Sequence, residues 1–501
     1  MSKQLPMSWD EWLQLDATAM AELVDKGEVN AKELAIQCAA AVERVNPKIN
    51  AVLEVFKDVV ENPYKDGMSP EGAFHGVPCL MKDIGSGMKG RLQENGALFM
   101  KGCRAEQDAP VTENLRAAGF NLLGRTATPP IGSSTTTESL INGITRNPWN
   151  LDYTSGGSSG GSSAAVAAGI APVCTSSDGG GSTRSPATIC GLIGLKPTRG
   201  RLPLPPSFGN ELAMHFVYEG VLSRTLRDQA GAYDYLCRHK PGDSFMPIPA
   251  PARSYLEELQ QEPGQLRIAF STGQWGQEEA LHPAIVENTR KVAKLLEEQG
   301  HIVEQISGDE ICDWPLLWSG VESTWIGSAR KWKYYAETAG ISLSDDLLEP
   351  VYQQLVKASE RNFNGDSELA HFANNANFTR GFGRLYEQYD LLMTPVDTGL
   401  TVKAGKGSGF SPFDECNTPE DAVSWMQGLI KDSRYHIPGN ETGMPSMSIP
   451  TGFDPNGLPI GVLLNAPWCR EDRIFQVAAQ IERARPEWFT QQPPLTVASE
   501  L

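Results

Sequence analysis

The sequence predicts an α/β fold in one large domain spanning residues 1–501. A helix-like stretch closed by glycine runs directly into a short apolar stretch at 109–119 and 120–123, and the same order recurs at 281–300 and 301–306. Repetition of this order implies parallel strand pairs joined by helical crossovers. The length alone would allow up to about three domains, but no linker-like tract or internal repeat marks a boundary.

Each element has a local reason. Residues 30–47 open on an asparagine suited to capping and place Leu34, Cys38, Ala41 and Val45 at helical spacing, with Pro47 expected to stop the helix. Residues 77–81 read as a buried strand ending against Lys82. Gly119 and Gly300 suit the ends of the two repeated helices. Further strands are expected at 170–174, 266–270, 391–394, 446–449 and 460–464. From 309 to 389 the pattern is mainly helical, and Trp314, Trp318, Val321 and Trp325 share one helix face. That stripe either packs on the core or in part walls a substrate pocket, since tryptophan supplies rigid apolar area.

Composition narrows the function classes. Lys and Arg number 43 against 61 Asp and Glu, a net charge of −18, which argues against a broad nucleic-acid-binding face. Nine cysteines without a CxxC, odd in number, argue against a disulfide framework. Seven histidines without an HExxH leave no metal site to expect. No apolar run approaches the roughly 18 residues of a membrane span, and the opening MSKQLPMSWDEW lacks the order of a signal peptide, so a cytoplasmic protein is expected.

Three places carry candidate chemistry. GGSSGGSSAAVAAG begins at Gly156 and SSDGGGSTRSPA at Ser176, putting Ser158 and Ser182 24 positions apart, while Lys82 follows the apolar stretch 77–81. Serine attacks well only when a base takes its proton and donors meet the oxyanion. The backbone N–H groups of Gly179, Gly180 and Gly181 are unshielded, and Pro186 suits the first turn of a helix just after Ser182. The plain alternative for the three glycines is a tight turn. A lysine desolvated at a strand end can be neutral and act as a base, whereas the plain alternative for Lys82 and Asp83 is a surface pair. GGSSGGSS reads alternatively as a flexible connector.

Three further motifs compete. Residues 156–160 fit the G-x-S-x-G nucleophile elbow, but that needs a strand directly before it, and TRNPWNLDYTS suggests two turns instead. Gly85, Gly87 and Gly90 fit G-x-G-x-x-G, a dinucleotide-binding pattern, with no convincing crossover helix after it. Ser86 to Lys89 fits S-x-x-K without the partner motifs that enzymes of that type carry.

Taken together, KDIG at 82–85, GGSSGGS at 156–162, DGGGSTRSPA at 178–187 and CGLIGLKPTRGR at 190–201 resemble the amidase signature family. The likeness is dense over about 75–200 and thinner in NPKINAV and in GMPSMSIPTG with GLPIGV. TRNPWN and the chain length are most similar to the 6-aminohexanoate-cyclic-dimer hydrolase group within it. The resemblance implies an amide hydrolase with a Ser-Ser-Lys triad. Ser182 would form the acyl-enzyme, Lys82 would be the base, and Ser158, held on a cis peptide in the family, would relay the proton. The N–H groups of Gly179, Gly180, Gly181 and Ser182 would form the oxyanion hole. The implied fold is a central mixed, mostly parallel sheet covered by helices on both faces, with a catalytic core near 70–205 and a variable substrate-covering region near 205–440.

Two departures stand out. Ser176-Ser177-Asp178-Gly179 replaces G-T-D-T, which leaves the mechanism intact and widens the site beside the oxyanion. Gly124-Arg125-Thr126-Ala127-Thr128-Pro129-Pro130 replaces G-K-T-N-x-x-E, removing an amide and a carboxylate near the expected pocket. The function expected is therefore hydrolysis of a small, uncharged amide, cyclic or aryl, to a carboxylic acid and an amine or ammonia. The expectation includes no cofactor, metal, nucleic acid or membrane, and a homodimer is one admissible assembly. The competing expectations are the ammonia-releasing subunit of a tRNA-dependent amidotransferase and a dinucleotide-binding protein using Gly85, Gly87 and Gly90.

Overall fold

Eleven strands among the described residues form one sheet. In chain order they are β1 (Val52–Val55), β2 (Pro78–Lys82), β3 (Asn121–Thr126), β4 (Val173–Asp178), β5 (Ile193–Lys196), β6 (Tyr218–Ser223), β7 (Arg267–Phe270), β8 (Ile302–Gln305), β9 (Leu391–Pro395), β10 (Ser446–Phe453) and β11 (Pro459–Asn465). The computed structural model describes residues 5–203, 216–238, 248–338, 340–362 and 365–500. Parts of the expected 205–440 covering region, and the first four residues of the chain, lie outside the described residues.

The spatial order is β1-β3-β2-β4-β6-β5-β10-β11-β9-β7-β8. Pairing is parallel within β3-β2-β4 and within β9-β7-β8, and antiparallel at β1 and across the centre. The sheet is mixed, with helices packed around it. The two helix-glycine-strand repeats belong to the parallel groups. The Pro110–Ala117 helix leads into β3 and the Pro283–Glu298 helix into β8, with Gly119 and Gly300 at positive φ. Antiparallel strands such as β10 and β11 are joined by a turn. A turn leaves no crossover signature in the sequence.

Three expectations shift in instructive ways. The first long helix continues through Pro47 to Ile49. Proline there removes a single amide near the helix end, while Asn50 N–H still bonds Asn46 O and the Asn46 side chain accepts from Ala51 and Val52. The strand expected at 170–174 begins at Val173 and runs on to Asp178, taking in polar TSSD. Those buried hydroxyls are satisfied, since Thr175 accepts from Lys82 N–H, Ser176 from Thr183 and Ser177 from the Lys82 ammonium. Finally, TRNPWNLDYTS is not two turns. Arg146–Asn147 and Asn150–Thr154 form a two-stranded ribbon around a turn in which Asn147 Oδ1 accepts from Trp149 N–H. The strand before Gly156 therefore exists, although outside the main sheet.

GGSSGGSS is no connector. Its second half is the first turn of the Gly160–Ala167 helix, all of it buried. A Cβ on Gly161 would lie 2.3 Å from the backbone nitrogen of Ala127, so this helix start rests directly on the chain leaving β3. The 309–389 region is helical as expected, with helices Trp314–Ser328, Arg330–Thr338, Pro350–Asn362 and Gly365–Leu385. Trp314, Trp318 and Val321 are buried in a second core that includes Trp275, stacked on Trp314 at 4.9 Å. Between Lys82 and Pro110 no α-helix occurs among the described residues. The crossover helix to β3 begins only at Pro110, so the glycines 85, 87 and 90 do not open a helix as a dinucleotide site needs.

Candidate active site

Lys82 ends β2, paired to β3 on one side and β4 on the other. Its side chain is 2% exposed, so the surface-pair reading fails. Its ammonium nitrogen lies 2.8 Å from Ser158 Oγ, 2.8 Å from Ser159 Oγ and 2.9 Å from Ser177 Oγ. Burial lowers its pKa to about 7, against the opposing pull of Glu219 and Asp178. Three hydroxyls and no directly paired carboxylate make this a lysine that can give up its proton near neutrality. Asp83 turns the other way, to Arg125 Nη1 at 2.6 Å and to the N–H groups of Glu94 and Gly96.

Ser158 sits on a cis Gly157–Ser158 peptide at the mouth of the Gly160–Ala167 helix. Ser182 lies between the end of β4 and the Arg184–Ile189 helix. Ser159 N–H donates to Ser182 O at 3.2 Å, so the two serine segments touch. The Ser182 hydroxyl makes no hydrogen bond to the described residues, to Ser158 or otherwise, and Ser182 is partly exposed with Gly179 and Gly180. Gly181 differs from its neighbours, because its N–H donates to Asp178 Oδ1 at 2.8 Å. The N–H groups of Gly179, Gly180 and Ser182 have no acceptor among the described residues. Three of the four expected oxyanion donors are thus unengaged.

Asp178 holds this loop. It takes the Arg184 guanidinium through both oxygens at 2.9 Å, the amide of Asn440 at 3.0 Å and the N–H of Thr183. Burial alone would raise its carboxyl, but Arg184, Asn440 and His436 hold it well below the usual carboxylate range. A cavity of about 210 Å³ opens over the loop, and Ser158, Ser182 and Gly179–Gly181 line it. Facing them are Ile131, Phe216, Trp325, Trp332, Met426 and Leu429. Trp325 leaves the tryptophan stripe to join that wall, close enough that a Cβ on Gly180 would lie 2.5 Å from its ring. Both readings of the stripe hold, each for different residues.

Residues 33–475 match the Amidase family. The chain belongs to the amidase family. It is 36% identical over 489 residues to the 6-aminohexanoate-cyclic-dimer hydrolase of Paenarthrobacter ureafaciens, covering 96% of each chain. It is equally 36% identical, over 484 residues and 96% of each chain, to the protein of that name from Pseudomonas sp. (strain NK87). A solved structure of 6-aminohexanoate cyclic dimer hydrolase superposes with a TM-score of 0.86 at 35% identity, over 96% of this chain and 99% of that one. This amidase is accordingly a hydrolase of carbon–nitrogen bonds.

Several residues of the candidate site were not found from the sequence. Ser159 and Ser177 contact Lys82 but look like ordinary members of serine-glycine runs. Asn440 supports Asp178 from 262 positions away. Glu219, buried and lining the cavity, comes from β6, where it lies opposite Ser177. A polar residue inside the apolar stretch 217–222 is the one sequence signal that would have flagged it. Among the described residues no cluster of three or more His, Cys, Asp or Glu side chains is placed to hold a metal, and no helix is long and apolar enough to cross a membrane.

Proposed function

We propose that this amidase hydrolyses small neutral amides carrying an apolar, cyclic or aryl group, through an acyl-enzyme on Ser182. The observation that carries the reading is the 2.8 Å contact between Lys82 Nζ and Ser158 Oγ beneath the cavity that Ser182 lines. Neutral Lys82 takes the Ser158 proton as Ser158 takes that of Ser182, whose oxygen attacks the amide carbon. The developing oxyanion is met by the free N–H groups of Gly179, Gly180 and Ser182, and that of Gly181 joins only by leaving Asp178. The proton returns along the same hydroxyls to the departing nitrogen. Water, activated in the same way, then releases the carboxylic acid.

The substrate class follows from the opposite wall. Ile131, Phe216, Trp325, Trp332, Met426 and Leu429 offer apolar surface, and Glu219 is the one charged-type side chain among the described lining residues. Such a wall favours an uncharged acyl or amine group. The likeness to 6-aminohexanoate-cyclic-dimer hydrolases supports a cyclic amide as one member of the class. The variable stretch near 205–440 supplies most of this wall and is its specificity-bearing part.

Reaction of the purified chain with a sulfonyl fluoride, followed by peptide mapping, tests the assignment. Ser182 should carry the label, and Ser182→Ala should neither be labelled nor turn over amides. A label on Ser158 would overturn the assignment and return the elbow reading.

A further inference from the structure

Glu219 has no part in the proton path above, yet it is built into the same cluster. β6 runs antiparallel to β4, and the register sets Glu219 directly opposite Ser177. Directly opposed residues project on the same face of a sheet, so the Glu219 carboxyl lies on the side where Ser177 Oγ meets the Lys82 ammonium at 2.9 Å. Space for that carboxyl exists because residue 85 is glycine. A Cβ there would fall 2.0 Å from Glu219 Oε1, which gives the last residue of KDIG a reason unconnected with nucleotide binding. Ser86, the next residue, donates to Thr175 Oγ1, which accepts the Lys82 backbone N–H, and its hydroxyl lies beside the carboxyl. Glu219 is 3% exposed, and its Oε2 is buried without a hydrogen-bond partner.

The other charged groups near Lys82 are already engaged. Asp178 faces it from β4 but is bound by Arg184 and Asn440, with His436 beside it, and Asp83 is turned to Arg125. Glu219 is the remaining carboxyl, and it is faced in turn by Lys82 and the Ser86 hydroxyl.

We propose that Glu219 is a positioning residue for amide hydrolysis, a buried carboxyl held by Gly85, Ser86 and the strand register to govern how readily Lys82 takes and returns its proton. The proposal rests on the reading of Lys82 as the base. During acylation one proton passes from Ser182 through Ser158 to Lys82, and where Glu219 is ionised its carboxylate balances the charge that appears there without any bond forming to it. When the amine leaves, the same proton returns. Burial raises the Glu219 pKa to about 8 and lowers that of Lys82 to about 7, each opposed by the other group. The two therefore titrate as a pair, in two steps that belong to both.

The test is the pH profile of kcat/KM for a neutral acyl p-nitroanilide, measured from about pH 5 to about pH 10, on the full chain and on Glu219→Gln, Ser86→Ala and Lys82→Ala. Neutral Lys82 is the active form, so the wild-type rate should rise with pH through the lysine titration. Glu219→Gln keeps the shape but can never carry the charge that, in the ionised fraction of Glu219, favours the ammonium. Its acid limb should move down by about one to three pH units, and the second inflection should vanish. Ser86→Ala, which removes the hydroxyl beside the carboxyl that can turn to it when it is ionised, should move the limb the same way by less, and it provides the readout if Glu219→Gln does not fold. Profiles of both variants that superimpose on the wild type, or differ from it only by a uniform drop in rate, would overturn the proposal. Full activity in Lys82→Ala would overturn the underlying base assignment instead.

Discussion

At the scale of single residues, the decisive contrast is between two buried charges treated in opposite ways. Lys82 is desolvated and given hydroxyls in place of a carboxylate, so its charged form is disfavoured. Asp178 is equally buried but is given Arg184, Asn440 and backbone N–H groups, so its charged form is secured. Asp178→Ala would leave the fully buried Arg184 guanidinium unpaired. The expected loss is about 3–5 kcal/mol of stability near neutral pH, read by urea denaturation. Because the folded carboxyl is depressed, its contribution is present above the unfolded carboxyl value of about 3.9 and is lost as pH falls below it. The gap between wild type and variant should therefore narrow in acid, and a gap that widens there would contradict this role.

At the scale of elements, the site depends on a helix and a strand meeting at backbone distance. The Gly160–Ala167 helix starts two residues after Ser158 and lies on the end of β3, where Gly161 meets the Ala127 backbone. Gly161→Ala should push the helix start off β3 at a cost of about 1–3 kcal/mol and displace Ser158 from Lys82. A lowered thermal midpoint together with a fall in kcat is expected. A variant as stable and as active as the parent would show that the helix start is not fixed by this contact. How much was legible follows from the same geometry. Lys82, Ser158 and Ser182 were legible as candidates, since a strand-ending lysine and serines set among glycines are visible locally, but their proposed roles came from the resemblance of the combined motifs to the amidase signature family. Ser177 and Glu219 were not legible, because their relation to Lys82 is set by the register of β4 against β6. Both strands are buried on both faces, so no polar–apolar alternation marks that register. For the same reason the antiparallel centre of the sheet was illegible, while its parallel flanks announced themselves through helix-glycine-strand repeats.

At the scale of the whole molecule, the cavity joins two walls of different origin. The proposed reacting wall comes from residues 84–185, where the motifs are dense, and the apolar wall from residues 216–433 together with Ile131. The reacting wall is built on β2, β4 and the two short helices, and the apolar wall largely on helices of the second, tryptophan-rich core. This division predicts that specificity can be altered without altering the proposed acylation chemistry. Met426 lies on the Pro419–Asp432 helix and lines the cavity. Met426→Ala removes apolar contact equivalent to about 1.5–3 kcal/mol, and only a substrate large enough to reach that wall loses it. For a cyclic or aryl amide kcat/KM should fall by roughly 10- to 100-fold, mostly through KM if the contact is the same in ground and transition states. For acetamide, which spans only the reacting wall, it should be nearly unchanged, and the rate of Ser182 labelling by a small sulfonyl fluoride should stay with it. An equal loss on both amides would mean that Met426 supports the reacting wall, and the two walls would then act as one unit.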